Sequence, residues 1–67
     1  MSYSRTYHYN VEVGENFEFK GEPYIKIQAK QIPPIIRGDI TINVANSINL
    51  FTGEYYLFPQ NKEVEVL

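Results

Sequence analysis

Period-two alternation dominates this chain. Between residues 3 and 13 tyrosine, arginine and valine hold the odd positions, while Ser4, Thr6, His8, Asn10 and Glu12 hold the even ones. A two-residue repeat sends successive side chains to opposite faces, so the pattern predicts a first strand with His8 on its wet face. Gly14-Glu15-Asn16 interrupts it. Phe17-Glu18-Phe19 and Tyr24-Ile25-Lys26-Ile27 then flank Lys20-Gly21-Glu22-Pro23, which predicts two short strands joined by a glycine turn.

Residues 29–37 contain Pro33-Pro34. Proline gives no N–H to a ladder and pushes its predecessor out of the helical region, so an exposed loop or arm is expected there. Ile35 and Ile36 make that arm apolar. Ile40, Ile42 and Val44 alternate with Thr41 and Asn43 as in a strand. Further on, Ile48 and Leu50 share a face, and Gly53 can take the positive φ of a tight turn. Tyr55-Tyr56-Leu57-Phe58 is apolar on both faces and reads as a central or interface strand. Glu63-Val64-Glu65-Val66 alternates again, its glutamates placed to protect a sheet edge.

The expected fold is therefore a single small all-β domain spanning residues 1–67. Five to six short antiparallel strands form a sheet or partly open barrel, with a proline-containing arm at residues 29–37. The expected core is Phe17, Phe19, Ile25 or Tyr24, Ile40, Ile42, Val44, Ile48, Leu50, Leu57, Val64 and Val66.

Size sharpens the picture, because a chain of 67 residues buries only about 60% of its unfolded surface on folding. Domains this small usually lean on disulfides, a metal or another chain. Cysteine is absent, which excludes disulfides and thiolate metal sites. Self-association as a dimer or higher oligomer is the expected remedy. No apolar run approaches a membrane span, and no apolar leader follows Met1, so a cytoplasmic protein is expected. Charge falls in blocks of −2 for residues 1–19, +3 for 20–37 and −3 for 38–67. That is not the basic footprint of a general nucleic-acid binder.

Val13-Gly14-Glu15, Phe17, Phe19, Gly21, Tyr24 and Lys26 precede a second block of Asn46-Ser47-Ile48-Asn49-Leu50, Thr52-Gly53-Glu54, Phe58 and Glu63-Val64-Glu65-Val66. This succession resembles a loose group of small uncharacterised bacteriophage and prophage proteins. Where that group carries alanine this chain has Ser47, and where it carries acidic residues after the phenylalanine this chain has Pro59-Gln60-Asn61. The shared motifs are turns and strands. The resemblance implies a phage-type accessory protein at work in the cytoplasm of an infected bacterial host, and it carries over no functional residue.

Candidate chemistry is sparse. His8 is the only histidine, and no nucleophile, metal or cofactor set accompanies it, so neither catalysis nor a cofactor is expected. Neighbouring glutamates on one strand face do not oppose each other across a substrate as acid–base hydrolysis requires. Arg37-Gly38-Asp39 spells an adhesion tripeptide but reads as coincidence, with Gly38 turning the loop and Asp39 opening the next strand. Six tyrosines and four phenylalanines favour contact surfaces, because such rings cover apolar area and tyrosine keeps a polar tip.

Tyr7, Tyr9, Ile35, Ile36, Tyr55, Tyr56 and Phe58 are the expected interface residues. The leading expectation is a non-enzymatic protein binder, specifically a counter-defence inhibitor of a host protein. One alternative is a nucleotide or single-strand binder using Tyr24, Lys20, Lys26, Lys30, Arg37, Asn46 and Asn49. Another is a virion assembly component.

Overall fold

The computed structural model describes residues 4–66. Its strands are β1 (Ser4–Tyr7), β2 (Asn16–Phe19), β3 (Glu22–Arg37), β4 (Ile40–Asn49), β5 (Tyr55–Tyr56) and β6 (Glu63–Val66). They form one antiparallel sheet in the order β1-β6-β2-β3-β4-β5, and the sheet is not closed. The all-β expectation is met.

The β2–β3 hairpin is the part most directly dictated by sequence. Lys20 and Gly21 both take positive φ, 52° and 80°, which is the two-residue turn whose twist matches paired strands. Phe17 then faces Tyr24 across the hairpin, and Asn16 faces Ile25.

Several expectations need correction. The first strand stops at Tyr7, where a 3-10 turn over His8–Asn10 breaks the alternation. Tyr3, its expected first residue, lies outside the described residues. Residues 29–37 are not a loop but the second half of β3, paired with β4 as far as Arg37↔Ile40. Pro33-Pro34 is tolerated for two reasons. The chain around β2 is hydrogen-bonded to β3 no further than Lys26, so the rest of β3 has an open edge. Ile32, Pro33 and Pro34 together also stand opposite Asn43 alone, in a bulge where a missing donor costs no ladder bond.

A second bulge sets Ile27, Gln28 and Ala29 opposite Asn46. Such irregularities bend the hairpin, and bending is required. Sixteen residues of straight strand would reach about 50 Å at roughly 3.3 Å each, whereas the molecule's longest dimension is 37 Å.

Edge and centre are exchanged relative to expectation. β6 lies between β1 and β2, so its glutamates do not guard an edge. The run from Tyr55 to Phe58 contributes only a two-residue strand, and β5 is the sheet's last strand. The core is also smaller and more polar than expected. Val11, Phe17, Tyr24, Phe58 and Val64 form its centre, with Phe19, Tyr56 and Val66 packed against them. Ile32 and Ala45 are buried elsewhere in the fold. Ile40, Leu50 and Leu57 are exposed instead of buried, because each lies at a hairpin tip or in a connection. Ile25, Ile42, Val44 and Ile48 are half-buried.

Candidate functional site

Among the described residues four polar side chains occupy the interior: His8, Asn46, Ser47 and Asn49. The sequence places His8 on a wet strand face, but the 3-10 turn swings it inward to complete burial. Its ring stacks on Phe58 at 5.4 Å and meets Phe17 edge-on at 5.3 Å. Nε2 lies 2.9 Å from Ser47 Oγ. Ser47 Oγ donates its one hydrogen to the Asn46 carbonyl at 2.8 Å, so the imidazole is the donor in the His8 contact. Nδ1 then carries a lone pair with no hydrogen-bond partner among the described residues.

A histidine beside a serine suggests a nucleophilic pair. Both are fully buried, however, and the serine hydrogen is committed elsewhere, so no substrate can reach either. The contact instead ties the turn after β1 to β4, across the curl of the sheet. Lys26 adds to this seam by donating Nζ to the His8 carbonyl at 2.9 Å.

Burial, and secondarily the Lys26 charge, push the His8 pKa from 6.5 down to about 4. An unfolded chain therefore binds a proton between pH 6.5 and 4 that the folded one refuses. This contribution to stability is complete above pH 6.5 and is lost as pH falls through that window, by at most about 3 kcal/mol. Urea titrations of wild type and His8→Gln should diverge in pH dependence over this interval, with the variant flatter. Parallel curves would contradict the assignment.

Asn46 and Asn49 are backbone braces. Asn46 Nδ2 donates to the Phe58 carbonyl, and its Oδ1 accepts the Phe58 N–H, both at 2.9 Å. Asn49 Oδ1 accepts the N–H groups of Phe51 and Thr52 at 2.8 and 3.1 Å, while Nδ2 donates to Glu22 Oε1 at 2.6 Å. Tyr24 is buried in the core, which raises its hydroxyl pKa against an opposing hydrogen bond from Asn49.

Of the residues expected to bind nucleotides, Tyr24 and Asn49 are cross-strand partners, but both are buried in the fold, and the cations are spread out. Lys20 sits on the β2–β3 turn, its Nζ 5.4 Å from the Phe19 ring centre, and Lys26 is tied into the seam. Lys30 and Arg37 both lie over rings of β5. Lys30 lies over Tyr55 at 4.9 Å. Arg37 lies over Tyr56 at 4.0 Å and donates to the Tyr55 carbonyl at 2.7 Å.

The expected interface residues also divide. Phe58 is buried among five aromatic rings and cannot face a partner. Tyr7 and Tyr9 are exposed and stack on each other at 5.5 Å, but they stand at the β1 end of the sheet. Ile36 is 73% exposed and belongs to the opposite face of the arm from Ile35.

On the Ile35 face the structure builds an apolar groove of about 180 Å³ from Ile35, Arg37, Ile40, Ile42, Tyr56 and Leu57. Cross-strand pairing places four of these together, since Ile35 faces Ile42 and Arg37 faces Ile40. The cation–π contacts of Arg37 and Lys30 hold the arm beside β5, and Tyr56 and Leu57 form the far wall. Sequence reasoning assigned Ile40, Ile42 and Leu57 to the core. Their apolar alternation was visible, but the fold of the arm onto β5 was not.

A wider depression of about 480 Å³ beside β2 and β6 is bordered by Glu15, Glu18 and Glu65. Glu18 and Glu65 are direct partners on adjacent strands. Their carboxylates stand side by side on one sheet instead of facing across a cleft, so this depression lacks the geometry of paired-carboxylate hydrolysis. Among the described residues no group of three or more His, Asp or Glu side chains could hold a metal ion. No family model matches the chain, and neither the curated proteins nor the solved structures yield a match to it.

Proposed function

We propose that this is a non-enzymatic, phage-type accessory protein that acts by binding protein and self-associates in its working form. The observation that carries this reading is the groove on the β3–β4 arm. It joins aliphatic walls to a guanidinium, with Ile40 62% exposed and Leu57 also exposed at its rim. An apolar pocket with one directional cation is the usual anchor point of a protein interface. The buried histidine and asparagines are all engaged in holding the fold, which leaves recognition to the surface, where this groove is walled mainly by apolar side chains. In its specific form the proposal is a counter-defence role, in which the protein occupies a host immunity protein in the bacterial cytoplasm.

The test uses wild type and Ile40→Asp, an exposed change that leaves the core untouched. Wild type should retain one reproducible host protein and raise phage plating on a defended host. Ile40→Asp should lose both. Equal behaviour of the two proteins would remove the groove from the function.

A second reading, binding of nucleotides or single strands, draws support from the Lys30–Tyr55 and Arg37–Tyr56 contacts alone. It requires salt-sensitive binding, and a flat titration at low salt would end it.

A further inference from the structure

At the other end of β4 from the groove, residues 50–54 form a knob. Leu50 and Phe51 are both exposed there, and Phe51, at 76%, is the most exposed large hydrophobic among the described residues. A phenylalanine so placed is costly to keep in water, yet the turn is built to hold it out. Buried Asn49 accepts the N–H groups of Phe51 and Thr52, Gly53 N–H bonds back to the Asn49 carbonyl at 2.8 Å, and Leu50 N–H is held by the Pro23 carbonyl at 2.9 Å. The knob is therefore preorganised, which lowers the ordering cost of inserting it into a partner. Glu54 and Glu22 stand around it, so its rim is acidic.

The groove is the complement of this knob in size and charge. Apolar cavities of about 150 Å³ hold a benzene ring, and this groove measures about 180 Å³. Its rim carries one cation, Arg37. One bond to the Tyr55 carbonyl leaves the Arg37 guanidinium with further N–H groups to offer.

We infer that the partner of the groove is a second copy of this chain, joined head to tail, with Phe51 of one copy seated among Ile35, Ile40, Ile42 and Leu57 of the next. Glu54 of the entering copy meets Arg37 of the receiving one. Knob and groove are different surfaces, so a single head-to-tail contact is heterologous and leaves the pair one free knob and one free groove. This inference rests on the reading of the groove as a protein-binding surface, and it names the occupant.

Sedimentation velocity on wild type, Phe51→Ser, Ile40→Asp and an equimolar mixture of the two variants tests it. Both substitutions are at exposed positions, and far-UV circular dichroism with urea melts confirms that each variant folds. Wild type should form concentration-dependent species above dimer. Each variant alone should associate at least about tenfold more weakly, as for loss of an interface anchor.

The mixture decides the geometry. An intact groove on the Phe51→Ser chain should accept the intact knob on the Ile40→Asp chain, giving a capped pair of twice the 7.8 kDa chain mass. A monomeric wild type at millimolar concentration, or a mixture no more associated than its components, overturns the inference. Undiminished capture of a host protein by Phe51→Ser with loss by Ile40→Asp would show that the groove still binds protein when self-association fails. Loss of neither would sink the groove reading itself.

Discussion

Phe58→Ala should remove at least about a third of the chain's folding stability. The Phe58 ring lies within 5.0 to 6.2 Å of His8, Phe17, Phe19, Tyr24 and Tyr56, so it is the common neighbour of the whole aromatic core. Truncating a buried phenylalanine costs about 3 to 5 kcal/mol, because lost burial and a residual cavity add. At roughly 0.05 to 0.15 kcal/mol per residue, a chain of 67 residues has only about 3 to 10 kcal/mol to lose. Near-UV circular dichroism and urea titration read the outcome. A cooperative transition within about 1 kcal/mol of wild type would mean that the core has another centre.

Asn46→Ala should cost nearly as much, about 2 to 4 kcal/mol, although it removes no apolar surface worth the name. The amide acts as a surrogate strand: it gives the buried Phe58 backbone both an acceptor and a donor just where β5 has ended. Without it two backbone groups lose their partners at once. Asn46→Asp separates the two bonds. Its carboxylate still accepts the Phe58 N–H but turns an ionised oxygen toward the Phe58 carbonyl, so burial and repulsion raise its folded pKa. Stability lost at pH 7 should then be partly regained as pH falls and the protonated acid donates again. Equal urea midpoints for wild type and Asn46→Ala would show that the brace contributes nothing.

These two residues also mark where the sequence was and was not legible. Strand count, antiparallel class and the Lys20-Gly21 hairpin follow from alternation and turn chemistry, which are local. The arm was visible as an apolar segment, but Pro33-Pro34 argued against pairing because bulges cannot be read from a single strand's pattern. The polar core was hidden for the same reason. His8 and Ser47 are 39 positions apart, and Asn46 and Phe58 are 12 apart. Neither pairing has a local signature. One trace was present: Ala45-Asn46-Ser47 is a run of small and polar residues inside a strand, and the structure buries all three in succession opposite a bulge. Small side chains at such a position mark a place where the sheet closes on its own core.

The groove was only half legible. Ile35 and Tyr56 were expected to meet a partner, whereas Ile40, Ile42 and Leu57 were counted as core until the arm's clasp onto β5 by Arg37 turned them into one surface. Apolar alternation states that a face wants cover and leaves open whether the cover is the same chain or another. In so thin a fold that distinction is set by topology.

Self-association through the groove is the central claim, and methyl-resolved NMR of isoleucine and leucine over a dilution series from about 1 mM to about 10 μM tests it most directly. Concentration should shift the Ile35, Ile40, Ile42 and Leu57 methyls at one end of β4 and the Leu50 methyls at the other, with the interior Ile32 methyls fixed. Spectra that do not change with concentration, or changes confined to the Tyr7–Tyr9 end of the sheet, would contradict it.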